Sequence, residues 1–475
     1  MWDIEFIICV CHIMQLLMDN ALFILIRGGD MSSAVVIGGG IAGIYSAILL
    51  KKRYESVFLI EKEQELGGLL RSFHNEGNDW FDYGTHFIAE TNIKDIDEVI
   101  VDKSWTKGWR KFDSEKVGNF FNGVLNEGEA FVDAKGIGAN YYRGLNEFLE
   151  KTYINDTYTD SEDQLENTFG QTFTQEIFKP SLCKIFCVDS LAELVAGANL
   201  LFGMKRIKVL NSKASKLIKT LPTYDAKMSY HADYSPSKGY RTHFYPKVGG
   251  VGVWVDQMRI KLDALGVTVL CGRSVKKIGH KGRVINRIVM DNDEVIDCDN
   301  LVWTIPLVFL FRAAGIECST VGPRLLNTTL LHFTFDSKPL SDDHYFYCYD
   351  PSFLPFRVTL YSNLQPEVSQ SSGRHRVTVE VLSSGVLDAE KTCAVVIMDL
   401  IKMKVIPSNS KVLYQKIMSI PNGFPVMDHS YAKSFEFQSH LAINSFKNLS
   451  LQGKNNTRDW FMADVLKSIY HEFGR

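Results

Sequence analysis

The sequence has no uninterrupted apolar run approaching bilayer length, no repeating C-x-x-C pair and no basic run interleaved with aromatics. The first absence argues against an integral membrane span, because a crossing helix needs about twenty consecutive apolar residues. The second argues against the common zinc frameworks. Nine cysteines are scattered, and Cys183 and Cys187 would share a helix face with no histidine at ligand spacing. We therefore expect no metal site, and buried reduced thiols suited to a reducing cytoplasm. The third absence, with a net charge of -3 over 475 residues, leaves no electrostatic footprint for nucleic acid. Sequons at Asn327 and Asn448 carry no weight without a secretory context. What is present, 45% hydrophobic and 23% charged residues, suits two or three domains sharing a large buried surface.

Residues 1–30 are apolar but interrupted by Asp3, Glu5, His12, Asp19 and Asn20, and they lack the basic region and cleavage site of a signal peptide. We expect them to lie outside the fold. Arg27-Gly28-Gly29-Asp30 can be encoded by a purine-rich, ribosome-binding type of stretch just before Met31. The expectation is a bacterial protein whose functional chain starts at Met31. An amphipathic membrane-surface anchor is the rival reading. N-terminal sequencing of protein from the native gene separates the two.

The stretch Ala34 to Glu61 organises the rest of the chain. Ala34-Val35-Val36-Ile37 reads as a buried parallel strand. Gly38, Gly40 and Gly43 then satisfy G-x-G-x-x-G, a helix-like segment opens at Ile41 and Ala42, and a second strand ends in Glu61. In a dinucleotide site the first glycine makes the tight turn and the second admits the pyrophosphate. The third lets the helix lie on the strand, whose terminal acid takes the ribose hydroxyls. The helix N-terminus faces the phosphate charge.

Glu61 is followed by Lys62, then by Gly67-Gly68-Leu69. This order resembles the FAD-binding families that include amine oxidases, protoporphyrinogen oxidases, carotenoid desaturases and UDP-galactopyranose mutases. In them the second glycine pair approaches the FAD pyrophosphate and ribityl chain, an element that nicotinamide dehydrogenases do not share. Many relatives place a basic residue directly after the pair, where this chain has Leu69 and its first arginine at Arg71. Asp82-Tyr83-Gly84-Thr85-His86 is similar to the families' D-x-G-x-H element beside the flavin ring, and looks particularly like the Tyr-Gly-Pro-His of the mutases. The resemblance implies that Gly84 and Thr85 let the backbone meet the isoalloxazine, with His86 in hydrogen-bond reach of flavin or substrate. Further on, Gly249-Gly250, a helix over 253–265, a strand over 266–270 continued by 272–275, and Val275 against the adenine match the same pattern. Gly453 matches the C-terminal glycine near the ribityl chain, while Lys454 replaces the acid common in amine oxidases and sits closer to the Gly-Arg of the mutases.

The implied fold is α/β: a Rossmann-like FAD-binding domain with an inserted α+β substrate domain. Its parts are 31–90, 241–306 and 441–475, with a mainly helical lobe over 91–240 and an antiparallel sheet over 307–440. Segments 283–290, 294–296 and 301–304 read as a small β-meander. In the helical lobe Lys184 is a candidate substrate cation, beside Lys179, Lys205 and Arg206. In the sheet Tyr345, Tyr347 and Arg357 could bind an anionic or sugar-like ligand. For each of these the plain alternative is a solvated or snorkelling side chain.

The resemblance specifies the cofactor, FAD, more than the reaction. It implies an oxidoreductase of the amine oxidase and protoporphyrinogen oxidase type, with flavin N5 taking hydride from a small molecule. The alternative is a flavin-dependent isomerase acting on a nucleotide sugar, as in surface polysaccharide synthesis. A flavoprotein scaffold without turnover is the third class. No catalytic residue is assigned by the sequence.

Overall fold

The computed structural model describes residues 32–102, 106–153, 157–229, 241–319, 322–455, 459 and 461–474. The expectations for residues 1–30 and Met31 lie outside these.

Five strands form an all-parallel sheet in the order Thr268–Cys271, Ser56–Glu61, Ser33–Ile37, Asn300–Trp303, Leu449–Leu451. The apolar run at its centre is buried on both faces, as a parallel strand requires. Ala34 and Val36 face one core with the helices Ile41–Leu50, Val253–Ala264 and Met462–Phe473, through Ile44, Trp254 and Leu466. Val35 and Ile37 face the other, packed with Ile278, Ile288 and Ile296 of a three-stranded antiparallel meander, 275–281, 284–290 and 295–297. The domain is thus helices, sheet and meander in three layers.

Two expectations are corrected by this sheet. Leu301, Val302 and Trp303 join the central parallel sheet beside Ser33–Ile37, not the meander. All three are at most 1% exposed, which fits a strand covered on both faces and not a half-exposed ribbon strand. And 272–275 does not continue the preceding strand: the chain turns at Gly272, φ 67°, and Val275 opens the meander.

A second sheet has seven strands, ordered Val412–Pro425, Leu325–Phe335, His375–Ser383, Arg357–Leu360, Tyr345–Cys348, Val117–Phe121, Val124–Asn126. Its last two strands come from the stretch expected to be mainly helical, and Val117–Phe121 pairs in parallel with Tyr345–Cys348, so the sheet is mixed. Asn119 explains the hairpin's place: it is fully buried and its amide donates to the carbonyls of Glu129, 2.6 Å, and Phe131, 3.1 Å. Trp109–Phe112 is a further strand, paired with His243–Pro246, and the part from 134 onward is mainly helical and builds its own core from Phe148, Phe169, Phe173, Phe178 and Phe186. Two of its helical segments start on side-chain caps of this kind, Asp160 accepting from Asp163 N and Ser190 closing a capping box with Glu193.

Asp82 ties the parts together. Its buried carboxylate accepts from Ser72 Oγ at 2.6 Å, Tyr245 Oη at 2.6 Å and Val251 N at 2.9 Å, while its own N–H donates to Tyr361 Oη at 3.0 Å. Burial pushes its pKa up to about 6 against the pull of these donors.

Candidate functional site: a glycine cradle and a polar cleft

The turn after the first strand works as the glycine spacing predicts. Gly38 has φ 103°, and a Cβ there would lie 2.3 Å from Thr304 Oγ1. A Cβ on Gly43 would lie 1.8 Å from Gly38 O, so this glycine sets the helix against the turn. Gly40 differs from both: its φ of −75° and ψ of −176° suit any residue, and a Cβ would meet nothing within 4 Å. The space above it is open, and the helix Ile41–Leu50 begins there with no side-chain cap and no acid in its first turn. Its first N–H groups are left for an anion.

The second glycine pair closes on the first. Gly67 N donates to Gly39 O at 2.8 Å, and a Cβ on Gly68 would sit 3.4 Å from Gly40 Cα. From the far end of the chain, Gly453 at φ 69° brings its backbone to the same helix start, a Cβ there lying 3.3 Å from Ala42 Cβ. Glu61 ends its strand with Oε2 accepting from Gly39 N at 2.6 Å and Oε1 from Glu63 N at 2.9 Å, so it also braces the glycine turn. Each oxygen keeps a second lone pair for another donor. Arg273 N donates to Glu61 O at 3.0 Å, which holds the start of the meander, with Val275, beside that acid. Lys62 is exposed and pairs with Glu63 at 3.5 Å, and Leu69 is 41% exposed. Arg71, in place of a basic residue directly after the pair, donates from Nε to Gly68 O at 2.9 Å and lies over the Tyr83 ring.

Strand register brings the second group of residues together. Tyr347 pairs with Arg357, and Arg357 with Glu380, so three neighbouring strands set three polar side chains on one rung of one face. Tyr345, Thr359 and Thr378 occupy the next rung on that face. Arg357 grips Glu380 as a fork at 2.6 and 2.8 Å. Thr85 N and Oγ1 both donate to Glu380 Oε1 at 3.1 Å, and Thr85 Oγ1 also bonds Thr359 Oγ1. Glu380 therefore fastens the Tyr83–His86 turn to the second sheet. Gly84 is needed for this approach: at φ 113° its Cβ would be 3.3 Å from Glu380 Oε2 and 3.4 Å from His86 Nε2.

Burial raises the Glu380 pKa, but the adjacent Arg357 charge and its hydrogen bonds outweigh this and hold the carboxyl below its ordinary value. The same pair holds Arg357 charged against its own burial. His86 is pushed down to about 4 by burial and then by the Arg357 charge, with Glu380 working the other way. It is a neutral imidazole at neutral pH. Tyr345 and Tyr347 are raised, by burial first, and Tyr345 Oη donates to Glu115 Oε2 at 2.9 Å. Lys454 is solvent-accessible, forms no hydrogen bond or ion pair among the described residues, and yet has its pKa lowered by the surrounding protein; its field also acts on His86. Lys454 follows Gly453 and its charge reaches His86, so it stands between the glycine cradle and the polar cleft of the second sheet.

Lys184 does not join this group. Its ammonium donates to Cys348 O at 2.8 Å, Asp350 O at 2.9 Å and Pro355 O at 2.7 Å. All three of its donors are spent holding the loop beyond Tyr347, which corrects its reading as a substrate cation. Glu380 was not anticipated. The signal was the alternation in 375–383, where Val377, Val379 and Val381 enter the core and Arg376, Thr378 and Glu380 face the other way.

The architecture can be set beside solved structures. It matches reduced UDP-galactopyranose mutase with a TM-score of 0.72 over 94% of each chain at 17% identity. It matches a protein named for protoporphyrinogen oxidase, from Exiguobacterium sp. 255-15, with a TM-score of 0.66 over 94% of this chain and 99% of that one at 13% identity. The fold is shared with these two solved structures along nearly the whole of each chain. In sequence, residues 36–99 match the NAD(P)-binding Rossmann-like domain family. All-trans-retinol 13,14-reductase of Danio rerio is 33% identical over 91 residues, 19% of this chain and 15% of that protein. Flavin-containing amine oxidase A of Bos taurus is 36% identical over 63 residues, 13% of this chain and 12% of that protein. These curated relatives are thus matched over a small part of their length. Among the described residues no helix is long and apolar enough to cross a membrane.

Proposed function

We propose that the chain is an FAD-dependent oxidoreductase acting on a polar, hydroxylated small molecule. The observation that carries the cofactor is the Gly40 cradle, a glycine with no steric reason of its own, opened toward an uncapped helix start and met by Gly68 and Gly453. An ADP-containing group fits it. Gly38, Gly40, Ile41, Ala42 and Gly43 would hold the pyrophosphate, Glu61 the ribose and Val275 the adenine. Gly67, Gly68 and Gly453 would border the ribityl chain, with Gly84, Thr85 and His86 beside the ring. Lys62 and Leu69 contribute at most through their backbones. When bound, FAD supplies a reversible two-electron acceptor. The chain's own part is to orient the substrate with Tyr345, Tyr347 and the Glu380-held Arg357, and to take up a proton on neutral His86.

A second reading is an isomerase acting on a nucleotide sugar. The polarity of the cleft favours it: one forked arginine, two tyrosine hydroxyls and Lys454, which has no ion pair among the described residues, suit a hydroxylated anion better than an apolar amine. The test is to reconstitute the purified chain with FAD, reduce it anaerobically and follow the flavin spectrum. Rapid reoxidation by oxygen or a quinone supports the oxidoreductase. Conversion of UDP-galactopyranose only by the reduced protein supports the isomerase. Failure to bind FAD overturns both.

A further inference from the structure

At one end of the seven-stranded sheet lies a polar cavity of about 290 Å³ that neither reading uses. It is walled by residues that lead into or out of four of the strands: Lys116, His344, Ser362 and Asn363, and His375, with Lys338 and Ser369 closing it. The Arg357–Glu380 fork sits at the opposite end of the Arg357–Leu360 strand.

Its lining is rich in donors without partners. Lys116 N donates to His344 Nδ1 at 3.1 Å, which fixes the ring proton on Nε2, and Nε2 is bonded by no group among the described residues. Ser369 is 2% exposed, and its buried hydroxyl has no hydrogen-bond partner among them either. Leaving such a group unpaired costs about 1–3 kcal/mol. The Lys116 ammonium has no ion pair among the described residues. His375 engages Ser362 Oγ through Nδ1 at 3.0 Å. The single carboxylate of the wall, Asp342, is matched by Lys338 at 3.3 Å. Asn363 spends both amide hydrogens on Ser341 O at 2.9 Å and Asp343 O at 2.6 Å, so only its Oδ1 remains, an acceptor for the P–OH that free hydrogen phosphate carries and a phosphomonoester dianion lacks. Burial first, and then the fields of Lys116 on His344 and Lys338 on His375, lower both histidine pKa values, with Asp336 working the other way on His375.

We propose that this cavity is a binding site for a phosphate dianion, either the free ion or the phosphoryl group of a phosphomonoester. Lys116 supplies the charge, while His344 Nε2 and the Ser369 hydroxyl supply directed hydrogen bonds. The site is distinct from the glycine cradle and does not depend on what the flavin does.

The experiment is calorimetric titration of the full-length chain with inorganic phosphate and, separately, glycerol 3-phosphate, against a chloride control at equal ionic strength. Saturable binding is expected. Lys116→Gln should raise Kd about tenfold and Ser369→Ala several-fold, with circular dichroism and FAD binding unchanged in both, and a ligand-free melting temperature unchanged in the first and equal or higher in the second. Binding of both ligands assigns the site to phosphoryl groups in general, and binding of phosphate alone to the free ion. No saturable binding of either ligand, or binding that both substitutions leave intact, overturns the proposal.

Discussion

Arg357 and Glu380 face each other across neighbouring strands and meet as a fork, Nε to Oε1 at 2.6 Å and Nη2 to Oε2 at 2.8 Å. Glu380 is 4% exposed and also holds Thr85, so one carboxylate joins the sheet's cation to the turn that carries His86. Removing one partner of a buried pair strands the other charge, which costs about 3–5 kcal/mol. Glu380→Gln is therefore expected to lower the urea midpoint sharply. Arg357→Met with Glu380→Leu should recover much of the loss, because no charge is left buried. A double variant as unstable as Glu380→Gln alone would show that the Thr85 contacts, not the ion pair, carry the energy.

Gly40 and Gly43 are expected to fail in different ways. Gly40 has ordinary φ and ψ and open space at its Cβ, so Gly40→Val should fold with an unchanged melting temperature and lose FAD. The valine occupies the room in which a pyrophosphate would lie. Gly43→Val collides with Gly38 O and should destabilise the protein itself, by about 1–3 kcal/mol or more. Thermal melts with and without added FAD separate the two. Equal FAD affinity in Gly40→Val and the parent would remove the cradle from the cofactor site.

The Rossmann-like part was legible because its information is local. A two-faced apolar run, three spaced glycines and a terminal acid fall within Ala34–Glu61, and each constrains its neighbour by steric contact. Leu301–Trp303 was misplaced because three consecutive apolar residues do not say which sheet will cover both faces. Glu380 stayed hidden for a different reason. Its partners Arg357 and Thr85 lie 23 and 295 residues away, and only strand register puts them together. Lys184 read as a free cation because backbone carbonyls, which carry no sequence signal, are what it binds.

Lys184 is accordingly expected to matter for stability and not for ligand binding. Charge-assisted hydrogen bonds to backbone carbonyls contribute about 1.5–3 kcal/mol. Lys184→Met keeps the stem and removes the donors, so the urea midpoint should fall by a corresponding amount while FAD affinity stays within about twofold of the parent. A variant of parental stability that loses substrate turnover would return Lys184 to the cleft.

His86 should leave a mark on the pH dependence of stability. Its folded pKa is about 4 against an ordinary 6.5, so between those values the unfolded chain binds the proton and the folded chain does not. No penalty exists above pH 6.5. It grows as pH falls from 6.5 toward 4 and is complete below 4. His344, also near 4, adds to it, whereas Asp82 and Asp343, both raised to about 6, act in the opposite direction by stabilising the folded state as pH falls toward 4. His86→Asn removes one histidine and leaves the rest. The expected result is a shallower fall in urea midpoint between about pH 6.5 and 4.5 than in the parent, with little change at about pH 7.5 beyond that of the lost contacts. An unchanged slope would mean that His86 titrates near its ordinary pKa, and that the charge of Arg357 is already neutralised at the ring by Glu380.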